Sequence, residues 1–102
     1  MGETSVTTRK VTQLLRDLAR SERITEDTLV REALQALLRE KKRVIRIDQF
    51  EILKRHGVSS ITDLDDKIRE GILPESPAWE DRITLDNLEE AIRHIDHALA
   101  TL

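Results

Sequence analysis

Apolar residues recur at helical spacing from Val11 onward. Val11, Leu14, Leu15 and Leu18 fall at i, i+3, i+4 and i+7, one stripe of a helix, and Thr7 or Thr8 is placed to cap its start. The spacing predicts a first helix over about residues 8–22. Thr25 then supplies a second cap, with Glu26 and Asp27 in the following turn, where carboxylates suit the positive end of the helix dipole. Leu29, Val30, Ala33, Leu34, Leu37 and Leu38 give the second helix a broad apolar face. No Gly or Pro interrupts it before Gly57. There Lys54, Arg55 and His56 occupy the last turn, Gly57 suits the left-handed position past the end, and Val58 supplies the accompanying hydrophobic contact. Val44, Ile45, Ile47 and Ile52 are β-branched and fit a short strand, but a lone strand has no partner in this sequence, so helix is predicted throughout. A helix over residues 25–56 is roughly 48 Å long at 1.5 Å per residue, against a radius of gyration of about 13 Å for a domain of this size. Its apolar residues face too many directions for one partner helix, so self-association is expected.

Beyond Gly57, Ser60 caps a short helix whose buried side is Ile61, Leu64 and Ile68 and which Gly71 ends. Residues 72–77 form the one clear loop, and the last helix is expected to begin at Ser76 with Pro77 in its first position. Leu85, Leu88, Ile92, Ile95, Leu99 and Leu102 recur at alternating spacings of 3 and 4, a heptad seam. The seam fits antiparallel packing on the second helix and an intermolecular coiled coil equally well. Trp79, one turn before Ile83, extends the apolar face at the start of that helix. The pattern as a whole reads as all-α, with long helices packed as a helical hairpin or bundle, in an oligomer.

Composition narrows this picture. The chain has 102 residues, enough for one small domain, and only 2% aromatics, Trp79 and Phe50, so its core is aliphatic. Without Cys there are no disulfides, thiolate metal sites or cysteine nucleophiles. No signal-peptide or membrane-spanning run is visible, which points to a cytoplasmic protein without membrane contact. The net charge of −3 conceals an asymmetry: residues 1–56 hold 13 Lys and Arg against 9 Asp and Glu, and residues 57–102 hold 4 against 11. The first half suits a polyanion and the second does not.

Catalytic chemistry finds little support. The three Gly are isolated, so there is no phosphate loop, and no serine sits on a Gly-flanked elbow. Asp65-Asp66 and Glu89-Glu90 are adjacent pairs whose members point to different parts of a helix surface. Glu90, His94 and His97 share a helix face and define a metal-binding alternative, although surface residues more often account for such a trio. No enzyme activity and no cofactor are expected. Arg39, Lys41, Lys42, Arg43 and Arg46 concentrate positive charge mid-chain, and Arg9 and Lys10 lie near the start; phosphate contacts need such charges.

Residues 18–38 add a resemblance. Leu18-Ala19, then Ile24-Thr25, then Leu29-Val30-Arg31-Glu32-Ala33-Leu34 and Leu37-Leu38 resemble the helical portion of ribbon-helix-helix repressors and the antitoxins that share their fold. The resemblance implies a dimer that represses transcription by binding operator DNA, with a short N-terminal β-ribbon over residues 3–8. The stretch Glu3-Thr4-Ser5-Val6-Thr7-Thr8 is polar for such a strand, and Arg23 stands where the family's turn usually has glycine. On this reading residues 1–43 form the dimerisation region and residues 44–102 a helical extension that binds a partner, a basic toxin protein. The DNA contacts would be Thr4, Val6, Arg9, Lys10, Arg39, Lys41, Lys42 and Arg43. Self-association would use Leu29, Ala33, Leu34, Leu37, Val44 and Ile47, and partner binding Trp79, Leu85, Leu88, Ile92, Ile95 and Leu99. The alternative to an antitoxin-like protein is a structural assembly bundle that does not bind nucleic acid.

Overall fold

The computed structural model describes residues 2–102, with the side chains of residues 2–7 and of Glu75 outside the described set. Four helices follow one another: α1 (Gly2–Glu22), α2 (Glu26–Arg55), α3 (Ile61–Arg69) and α4 (Glu75–Thr101). The chain divides into two compact units, Met1–Leu37 and Leu38–Leu102, with α2 passing from the first into the second. Lys42, which pairs with Asp96 of α4, lies in the second unit. Among the described residues, no helix is long and apolar enough to cross a membrane.

In the first unit, α1 starts at Gly2 instead of near Thr8. Residues 3–8, the stretch expected to form a ribbon, have helical backbone: nothing in this segment breaks a helix, and no strand is present for it to pair with among the described residues. Helix α1 closes in a left-handed turn, with the Ile24 amide donating to the Ala19 carbonyl at 3.0 Å and Arg23 at φ 58°. That is the position where a glycine would be at ease. Thr25 caps α2 as its sequence predicts, its hydroxyl accepting from the Thr28 amide at 3.0 Å.

The second unit comprises the rest of α2 with α3 and α4. Gly57 takes φ 66° and the Val58 amide returns to the Leu53 carbonyl at 3.1 Å, so Val58 tucks under the helix it ends. Ser60 caps α3 by accepting from the Asp63 amide at 3.0 Å, and the Asp63 carboxylate accepts from the Ser59 amide at 3.3 Å. Helix α4 begins one residue before the expected Ser76, and Pro77 lies in its first turn, where a missing amide hydrogen leaves no bond unmade. Ile52, Val58, Leu64, Ala78 and Leu85 form the core, with Leu53, Ile61, Ile68, Leu73 and Leu88 packed against it. Each such aliphatic side chain contributes about 1.5–3 kcal/mol on full burial. Leu85, Ile92 and Ile95 of the heptad seam are buried by their own chain.

Candidate functional site

The charge asymmetry resolves along the α2–α4 contact. Residues 1–37 carry six Lys and Arg and six Asp and Glu, so the basic excess of the first half lies wholly in residues 38–56, with seven against three. Those bases meet the acids of α4 in an antiparallel ladder. Lys42 Nζ is 2.7 Å from Asp96, Arg46 Nη1 is 3.1 Å from Glu89, and Asp81 takes both His56 Nε2 at 2.6 Å and Arg55 at 3.4 Å. Beside the Arg46–Glu89 rung lies Gln49, 6% exposed, whose amide nitrogen donates to Glu89 at 3.0 Å while its oxygen accepts from Arg46 at 3.0 Å. Arg82 ties α3 to α4 through Asp65 at 2.6 Å and also binds Asp86; the hydrogen bond to Asp65 leads in raising its pKa further. Among the described residues, no buried side-chain nitrogen or oxygen lacks a partner. Three of the seven bases, Lys42, Arg46 and Arg55, are thus paired with three acids of α4 inside the second unit.

This redistributes the residues expected to contact DNA. Lys42 is held by Asp96, and Arg43 binds both oxygens of Glu40, at 2.9 and 2.7 Å. Hydrogen bonding to Arg43 holds the Glu40 carboxyl below its usual range, and the same contact raises Arg43. Arg9, Lys10, Arg39 and Lys41 have no ion pair among the described residues. Thr8, Arg9, Thr12, Gln13 and Arg16 line a groove of about 360 Å³ on α1. The side chains of Thr4 and Val6 lie outside the described residues.

The residues expected to mediate self-association stand in water. Leu34, Leu37, Val44 and Ile47 are each more than two-fifths exposed, Ala33 is exposed and Leu29 half-buried. Val11, Leu14 and Leu18 on α1 and Val30 on α2 are exposed as well. Of the residues expected to bind a partner, Leu85, Ile92 and Ile95 are core, Leu88 and Leu99 are half-buried, and Trp79 is 57% exposed beside exposed Ile83. Glu90, proposed above as a metal ligand, is taken up by Arg93 and by His94 at 3.1 Å, and Arg93 chiefly holds its carboxyl low. Among the described residues, no group of three His, Asp or Glu side chains is arranged to hold a metal ion.

One side of the α2–α4 pair is open. Val44, Ile45, Ala91 and Ile95, with Glu40, Lys41 and His94 at the rim, line an apolar groove of about 590 Å³. One turn further along the same helices, Asp48, Glu51, Ile52, Lys54, Arg55, Thr84 and Leu88 line a second pocket, of about 700 Å³. Asp48, Glu51 and Lys54 have no ion pair among the described residues. The ladder residues Gln49, Glu89 and Asp96 escaped the sequence reading. Their signal was there: Lys42, Arg46, Gln49 and His56 share one face of α2, and Glu89 and Asp96 lie seven apart on α4.

Residues 6–102 match the family described as Uncharacterized protein MJ0235, and the chain belongs to that family. No curated protein and no solved structure matches the chain.

Proposed function

We propose that this member of the MJ0235 family is a non-catalytic binding protein of the antitoxin kind, which self-associates through its uncovered apolar helix faces and holds a partner protein on the exposed side of α4. The observation that carries this reading is the exposure of Val11, Leu14, Leu18, Val30, Leu34 and Leu37, all in the first unit. Scattered single exposures are ordinary, but two stripes at helical spacing are the mark of an interaction face. The partner surface centres on Trp79 and Ile83, and Glu80, which has no ion pair among the described residues, favours a basic partner. Repression through DNA rests on Arg9, Lys10, Arg39 and Lys41. The engagement of Lys42 and Arg43 in ion pairs favours the second reading, an assembly module without nucleic acid.

Co-expression tests the main reading. Expression of the neighbouring gene's product alone should arrest growth, the chain should relieve the arrest, and the double variant Trp79→Ala, Ile83→Ala should fail to do so while keeping its helix content. Relief undiminished in the double variant removes α4 as the partner surface, and absence of any arrest removes the antitoxin reading. A salt titration of DNA binding separates the two readings: retention that weakens linearly on a log–log plot supports repression, and no binding at low salt supports the assembly module.

A further inference from the structure

The open side of the α2–α4 pair has the charge order to select one occupant. On α2, Lys41 and Asp48 are seven residues apart, which places them about 10.5 Å apart along the axis and within about 20° of one another around it. Lys41 rims the groove, Asp48 lines the second pocket one turn further along the same side, and Val44 lies between them. On α1, Lys10 and Asp17 have the same separation on one edge of the Val11, Leu14, Leu18 stripe. Lys10, Lys41 and Asp48 have no ion pair among the described residues, and Asp17 holds only the Gln13 amide, at 3.0 Å.

We propose that the α2–α4 groove is the seat for α1 of a second copy of this chain, fixed in one antiparallel register by Lys10 against Asp48 and Asp17 against Lys41. In that register Leu14 of the second copy lies opposite Val44. Leu15 and Leu18 lie toward α4, where the small Ala91 leaves room beside Ile95. A parallel arrangement sets lysine on lysine and aspartate on aspartate, so the order of signs alone rejects it. The seat joins two apolar surfaces that the chain otherwise leaves wet, the α1 stripe and the groove floor. It rests on the self-association argued above and gives that association a location; it also takes up Lys10 and Lys41, leaving Arg9 and Arg39 for DNA.

Sedimentation of the full chain tests both levels. The wild type should dimerise in a concentration-dependent way, Lys10→Asp or Asp48→Lys alone should raise the dimer Kd roughly tenfold or more, and the double reversal should bring it back to within about threefold of wild type. All four positions are exposed, so helix content should stay constant across the set. Dimers indifferent to the single reversals, or singles that the double fails to rescue, overturn the seat and leave self-association standing. A wild type monomeric at every concentration overturns both. The chain has no Cys, so a Leu14→Cys, Val44→Cys variant oxidised in solution gives a second readout. A cross-linked dimer band supports the seat, and an internal cross-link at monomer mass shows that the chain's own α1 fills the groove and overturns the second copy as occupant.

Discussion

Both units are made of amphipathic helices, and the second buries a core of its own while it also leaves Phe50, Ile72 and Trp79 more than half exposed. In the second unit Leu64, Ala78 and Leu85 have no solvent exposure at all, and Gln49, the one buried polar side chain among the described residues, has both its donor and its acceptor engaged. In the first unit Val11, Leu14 and Leu37 keep more than half their surface in water, and Ala19 is the one core residue among the described ones. The same residue types at the same spacing therefore carry different free energies. Where a second helix returns, as α4 does on α2, the stripe becomes folding energy; where none covers it, the stripe contributes little to folding.

The largest test of this contrast is a pair of truncations. Leu85→Ala should cost about 2–5 kcal/mol in urea unfolding, because it removes a fully buried side chain and leaves a cavity. Leu14→Ala, 59% exposed before the change, should move the same measurement by no more than about 0.5 kcal/mol when the protein is dilute. Equal costs in dilute protein would erase the distinction between the units.

The ladder supplies the next effect. Glu89→Ala strips the buried Gln49 amide of its acceptor and frees Arg46, a loss of about 1–3 kcal/mol in the same assay. Glu89→Gln keeps an acceptor oxygen and should cost less. Asp96→Ala removes an exposed rung and should cost at most about 1 kcal/mol. If Asp96→Ala proves as damaging as Glu89→Ala, burial at Gln49 is not what makes the ladder matter.

Much of the fold was legible because its signals are local. The Thr25 and Ser60 caps, the Gly57 and Gly71 turns and the unbroken run through Val44 and Ile47 each depend on a few neighbouring residues, and each stands where the spacing put it. The start of α1 was misplaced because residues 3–8 lack an apolar stripe and are mostly weak helix formers, Thr, Ser and Val, so helix there extends the better-marked turns that follow. Tertiary choices were harder to read. The heptad seam at Leu85, Ile92 and Ile95 has one pattern for two destinations, and only the returning α2 decides between them. For the same reason a count of charge by halves does not show which charges pair: Lys42 and Asp96 are 54 positions apart in sequence and 2.7 Å apart in space.

Backbone tests give smaller effects, one in each unit. Arg23 at φ 58° holds a conformation that costs an L-residue roughly 1–2 kcal/mol, so Arg23→Gly should stabilise by up to about 1 kcal/mol once the glycine's greater freedom in the unfolded chain is subtracted. Gly57→Ala should lose about 1 kcal/mol from conformation alone, since a Cβ there meets nothing within 4 Å. The gain in the first unit should register weakly in a global unfolding curve and clearly in hydrogen exchange of the Ile24 amide, because only local opening of that turn samples it. A Gly57→Ala protein as stable as wild type would mean the turn after α2 tolerates a side chain in the left-handed region.

The smallest effect concerns pairs on the surface of the second unit, where both partners are wet. Glu40 and Arg43 each expose more than half their side chain, and hydrogen bonding to Arg43 lowers the Glu40 carboxyl pKa in the folded state. The sign follows from linkage: a carboxyl with a depressed folded pKa contributes stability that is fully present above its unfolded pKa and is lost as pH falls through the folded value. Acidification should therefore protonate Glu40 below the usual glutamate range, with little change in the unfolding midpoint, because an exposed pair is screened by water and salt. An NMR titration of the Glu40 side-chain carboxyl checks this, with Arg43→Gln expected to move the midpoint up toward an ordinary glutamate. Glu90 should respond in the same way to Arg93→Gln. A Glu40 midpoint that stays low without Arg43 would assign the shift to the wider positive field of α2, and Lys41 would then be the residue to replace.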